Sequence, residues 1–135
     1  MPLLVDTGVI YALADRRDAW HARVQTYLRK HPDTLLAPVT VLPAVAYLLR
    51  DRIGAVAELA FIRSIALGEI AVESLQRSDV SRAEALMSTY EELGFVDATV
   101  IAMAERMKMT SIATTDRRHF AAVRPAHRDR FLLVP

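Results

Sequence analysis

Leu3-Leu4-Val5-Asp6-Thr7-Gly8, with the apolar run that continues to Ala14, decides the architecture. Leu3 to Val5 read as a short buried strand, and the chain then enters a helix over 8–14 with Thr7 near its cap. Asp6 is therefore a strand-end residue. The same strand-then-helix order recurs along the chain. Asp18 can cap a helix over 19–30, His31-Pro32-Asp33 makes a turn, and 35–37 reads as a second strand. Thr40 is placed as the cap of a third helix, with Pro43 in the first turn, where a missing N–H costs little. Gly54 separates that helix from a fourth over 55–67, and Gly68 ends the fourth. Residues 70–72 read as a strand, and Ser78-Asp79 opens a helix to about residue 93, closed by Gly94. A helix from Asp97 to about 108, a strand over 111–113, a short helix over 117–121 and a last strand over 131–134 complete the pattern. Strands alternating with helices through short connections predict an α/β fold, a three-layer sandwich with a short parallel sheet between helices.

The bulk numbers bound the rest. A chain of 135 residues fits a single domain over 1–135, and a 53% hydrophobic, 24% charged composition is that of a globular protein. No apolar stretch approaches the roughly 20 residues needed to span a membrane. The amino end offers neither a basic leader region nor a small-residue cleavage site, so no secretory signal is expected. Zero cysteines exclude disulfides, thiolate zinc sites and cysteine nucleophiles, and fit a cytoplasmic setting. The net charge of +1 argues against a broadly basic nucleic-acid coat and leaves local pairs such as Arg16-Arg17, Arg29-Lys30 and Arg117-Arg118 as phosphate contacts.

Chemistry points to three aspartates. Asp6, Asp97 and Asp116 each stand where an apolar segment breaks off. In a parallel sheet, ligands collect beyond the carboxyl ends of the strands, where Asp6 and Asp116 would lie, and Asp97 at a helix start can point into the same crevice. Taken singly, Asp97 also reads as a helix cap and the other two as turn residues. Three carboxylates that converge repel one another unless protons or a cation intervene, so together they favour a hard divalent ion. Thr7, Thr114 and Thr115 bring supporting hydroxyls. Arg117 and Arg118 are the better candidates for phosphate contacts, Arg16 and Arg17 the weaker ones, and His119 reads as a helix-surface histidine ahead of a phosphate contact.

Other site classes are excluded. There is no Gly-x-x-x-x-Gly-Lys, Gly-x-Gly-x-x-Gly or Gly-x-Ser-x-Gly motif. His21, His31, His119 and His127 lack paired helical spacing, against a zinc site. A phosphoacceptor receiver domain would need a lysine at a late strand end, and the only lysines are Lys30 and Lys108. The helix over 55–67 is apolar nearly all round, which fits either an ordinary central helix or an interface with another chain.

Four stretches in order, Val5-Asp6-Thr7-Gly8, 41–49 from Val41 to Leu49, Gly94-Phe95-Val96-Asp97-Ala98 through Glu105-Arg106, and Ile112 to Phe120, resemble the PIN-domain ribonucleases, and among them the VapC-type toxins of toxin–antitoxin pairs. The resemblance implies an α/β/α sandwich whose acidic pocket binds magnesium or manganese and cuts RNA, with Asp6, Asp97 and Asp116 matching the family's aspartates. It also implies a protein antitoxin lying in a groove lined by helices and inserting a basic side chain toward the acids. The apolar surface of 46–67 predicts a homodimer. The family usually places a glutamate on the middle helix where this chain has Ala44, a departure that impairs activity while leaving the fold intact. The alternative is a catalytically silent RNA- or antitoxin-binding module of the same fold.

Overall fold

Leu4 and Val5 lie wholly out of solvent on a strand that is paired on both sides. A computed structural model describes residues 2–135. Among these, five strands, β1 (Leu3–Val5), β2 (Leu35–Pro38), β3 (Ile70–Glu73), β4 (Ser111–Ala113) and β5 (Leu132–Val134), form one parallel sheet in the order β3-β2-β1-β4-β5. Seven helices connect them: α1 (Thr7–Ala14), α2 (His21–Lys30), α3 (Val41–Arg52), α4 (Ala55–Ala66), α5 (Arg77–Thr89), α6 (Phe95–Arg106) and α7 (Arg117–Ala121). The chain builds outward from β1 to β3 on one side and then crosses to β4 and β5 on the other. The strand order thus reverses between β1 and β4, where a crevice opens at the carboxyl ends. Val5 is in register with Ala113, and the Asp6 N–H donates to the Ala113 carbonyl at 2.9 Å. That register sets Asp6 beside Thr114.

Val41, Val45 and Leu49, four residues apart on α3, form one fully buried stripe toward the core. Every residue of α6 from Ala98 to Glu105 is buried, its alanines allowing close approach. Two ion pairs fasten α5 to α6 in reciprocal sense. Asp79 on α5 takes Arg106 on α6 at 2.9 Å, and Glu105 on α6 takes Arg82 on α5 at 2.7 Å. Asp79 is 2% exposed and also accepts the Gln76 N–H at 2.9 Å, closing a capping box at the start of α5.

Several boundaries differ from expectation, each for a local reason. The second helix begins at His21 because the Asp18 carboxylate accepts the Trp20 N–H at 2.8 Å and closes a turn first. Thr40 precedes α3 but does not cap it with its side chain; its hydroxyl instead pairs with the Thr99 hydroxyl of α6 at 2.7 Å. Gly94 does not close α5, which ends at Thr89; with extended backbone (φ −82°, ψ 170°) it is the N-cap of α6. Asp97 is consequently the third residue of α6 and not its cap. The fourth helix is not central: among its residues only Phe61 is buried, and Val56 is 84% exposed alongside Leu59 and Ile62.

Candidate functional site

Asp6 ends the central strand with its side chain in the interior, only 3% exposed. Its Oδ2 accepts the Thr114 hydroxyl at 3.0 Å, whereas Oδ1 is buried without a hydrogen-bond partner. Burial, then the charge of Asp97 and, more weakly, that of Asp116, push this carboxyl up to about 7 against the pull of bonds from the Thr7 N–H and Thr114. An orphaned oxygen on a buried acid beside two more acids is an arrangement that lacks a positive charge.

Asp116 caps α7. It accepts the His119 N–H on Oδ1 at 3.1 Å and the His119 Nδ1–H on Oδ2 at 2.7 Å, and its own N–H donates to Thr114 Oγ1 at 2.9 Å. Asp116 in turn holds the imidazole pKa above its ordinary value. Asp97 reaches the same place from the first turn of α6. Its pKa is raised by burial and by Asp116, with His119 opposing. One oxygen each of Asp97 and Asp116 and one nitrogen of His119 lie within 4.8 Å of one another. Asp6 stands outside that tight set but feels both its carboxylates. Asp97, Asp116 and His119 thus gather beyond the carboxyl ends of the strands with Asp6 within reach of the two acids' charges, and this donor set suits a divalent cation.

The hydroxyls divide in role. Thr114 is fully buried and bonds both Asp6 and Asp116. Thr7 opens α1 directly after Asp6, where its backbone N–H counts among the groups that pull the Asp6 pKa down. Thr115 packs against Gly8, where an added Cβ would fall 2.1 Å from its Oγ1, so the loop after β4 and the first turn of α1 meet at a spacing that glycine permits.

The arginines are scattered. Arg117 is half-buried, donates to the Pro135 carbonyl and lies over the Trp20 ring at 5.4 Å. Arg118 is exposed, 3.5 Å from Glu92, and with Tyr90, Glu91, Leu93, His119 and Ala122 it lines a cleft of about 250 Å³ beside the acids. Arg16 and Arg17 are exposed in the loop after α1, about 12 Å along that eight-residue helix from Asp6. Ala44 is half-buried one turn beyond Thr40 on α3, and 41–48 bring no carboxylate.

His119 is the residue that the sequence reading undervalued. The available signal was its position three residues after a capping aspartate, which returns its side chain over the helix start.

The sequence model of one family, described as PIN domain, matches residues 3–124. The chain is 30% identical to Ribonuclease VapC26 of Mycobacterium tuberculosis, covering 98% of this chain and 100% of that protein. Its fold is similar to the crystal structure of Mycobacterium tuberculosis VapC20, titled a sarcin-ricin loop cleaving toxin (TM-score 0.82, 24% identity, 89% of this chain and 94% of that one). It is also similar to a toxin–antitoxin complex from Klebsiella pneumoniae (TM-score 0.69, 20% identity, 90% and 92%).

Proposed function

The chain belongs to the PIN-domain family, and from that membership we propose that it is a VapC-type toxin, an endoribonuclease that hydrolyses RNA phosphodiester bonds with Mg2+ or Mn2+ held among Asp6, Asp97 and Asp116. The observation that carries the metal-dependent reading is the buried, unpartnered Asp6 Oδ1 beside two coupled carboxylates. A bound divalent ion would neutralise phosphate charge and acidify the attacking water.

The protein's own groups supply position. Thr114 fixes the Asp6 carboxylate and, through the Asp116 N–H, the start of α7, so residues beyond the ends of two neighbouring strands share one reference point. Asp97 enters from α6, which the two ion pairs to α5 hold rigid. Arg118, exposed at the adjoining cleft, offers a guanidinium to a flanking phosphate. Ala44 leaves α3 without a carboxylate at the site, so turnover is lower than with glutamate there, and at its limit the chain is a silent RNA- or antitoxin-binding module.

The exposed apolar side chains Tyr47, Ile53, Val56, Leu59, Ile62 and Leu67 on and beside α3 and α4 form the surface for a second copy of the chain and for a protein antitoxin. No helix among the described residues is long and apolar enough to cross a membrane. The cytoplasm is the setting that suits an RNA-cutting toxin on this reading.

Total RNA incubated with the purified chain tests this reading. Cleavage should require manganese or magnesium, cease with chelator and disappear in Asp6→Asn. Cleavage that survives both would overturn it.

A further inference from the structure

We propose that His119 is itself a metal ligand at this site, and that the centre in consequence prefers manganese to magnesium. The inference rests on the metal-dependent reading above and changes its ligand set from three aspartates to a mixed oxygen and nitrogen shell.

The tightest group of donors among the described residues is Asp97, Asp116 and His119, not the three acids. His119 Nδ1 and Asp116 Oδ2 are 2.7 Å apart. Two ligand atoms on adjacent corners of an octahedron with bonds of about 2.1 Å lie about 3 Å apart, so a cation can replace the shared proton with little movement. With Nδ1 on the metal, the proton resides on Nε2, which faces Glu92 Oε2 at 3.7 Å. A carboxylate behind the distal nitrogen is the usual support of a ligating histidine.

Helix capping does not account for this side chain. The reciprocal partner in a capping box is the N–H of the capping residue, and the Asp116 N–H is already taken by Thr114. The independent observation that points to a cation is Asp6 Oδ1, buried and unpartnered on a carboxyl that feels the charges of both Asp97 and Asp116. Access is open, because His119 also lines the cleft formed by Tyr90, Leu93 and Ala122. Imidazole nitrogen binds first-row transition ions in preference to Mg2+, which favours an all-oxygen shell.

Pulsed electron paramagnetic resonance of the Mn2+-loaded protein tests the assignment. The echo should carry 14N modulation from one imidazole, convert to a 15N pattern on selective 15N-histidine labelling, and vanish in His119→Gln. The labelled protein decides alone if the variant does not fold, since ring nitrogens of His21, His31 and His127 bond the carbonyls of Ala12, Tyr27 and Met109. In parallel titrations His119→Gln should weaken Mn2+ roughly tenfold, a typical effect of disturbing a metal's ligands, and Mg2+ far less. Mn2+ bound without nitrogen modulation overturns the histidine ligand and leaves the nuclease reading standing. A protein that binds no Mn2+ overturns both.

Discussion

Thr114 donates its hydroxyl to Asp6 Oδ2 at 3.0 Å, joining the ends of two adjacent parallel strands that are 108 residues apart in sequence. The bond exists because Val5 and Ala113 are in register, which carries the next residue of each strand to the same sheet edge. The same hydroxyl accepts the Asp116 N–H at 2.9 Å. One oxygen atom thus fixes the Asp6 carboxylate and the backbone of Asp116.

Replacing Thr114 with valine keeps the shape and removes both bonds. Two polar groups are left unpaired, Asp6 Oδ2 and the Asp116 N–H, and at about 1–3 kcal/mol for a buried group the variant should lose about 2–4 kcal/mol. Thr114→Ser should retain most of the stability. Urea unfolding of the three proteins in chelator measures this, and equal midpoints for the valine variant and the parent would remove the role assigned to the hydroxyl.

The Asp6 carboxyl, raised to about 7, makes a pH prediction. Between about pH 4 and 7 the folded protein keeps a proton that the unfolded chain has released, so this group's contribution to stability is full at the acid end and is lost as pH rises through 7. Metal-free protein should lose stability relative to Asp6→Asn across that window, and saturating Mn2+ should cancel the loss by taking the proton's place. A difference between the two proteins that stays flat with pH contradicts the burial of this acid.

Breaking the clamp between α5 and α6 should cost far more than breaking a surface pair. Arg106→Met leaves Asp79 charged and buried, for a loss of about 3–5 kcal/mol. Arg50→Met removes a partner of Glu58 that is 65% exposed, for less than about 1 kcal/mol. Similar losses for the two would show that Asp79 gains other partners.

How much of this the sequence revealed depended on whether a signal was local. Asp6 was legible because an acid directly after an aliphatic triplet fits a strand end, whereas Asp116 lies two threonines beyond its strand and caps α7; the parallel order follows from the short connections. Gly94 was misread because a glycine between two helices can end one or begin the next, and only its extended backbone decides. The clamp of Asp79, Arg82, Glu105 and Arg106 and the approach of His119 to Asp116 depend on side-chain direction across elements, which periodicity does not encode. The composition of α4 showed that it was too apolar for an ordinary surface helix, but not which face would be left open.

Ala44→Glu should supply the acid that α3 lacks. A further negative charge near Asp6 disfavours the metal-free fold and favours the loaded one, so stability in chelator should fall while Mn2+ affinity rises. RNA cleavage should increase on the order of a hundredfold. No gain in affinity would mean that Ala44 does not face the acids.

The central claim is that Asp6, Asp97 and Asp116 serve a single metal site, and calorimetric titration of Mn2+ tests it most directly. Each single Asp→Asn variant should bind Mn2+ at least roughly tenfold more weakly than the parent, and the triple variant should not bind at all. Binding by the triple variant equal to that of the parent would contradict the account.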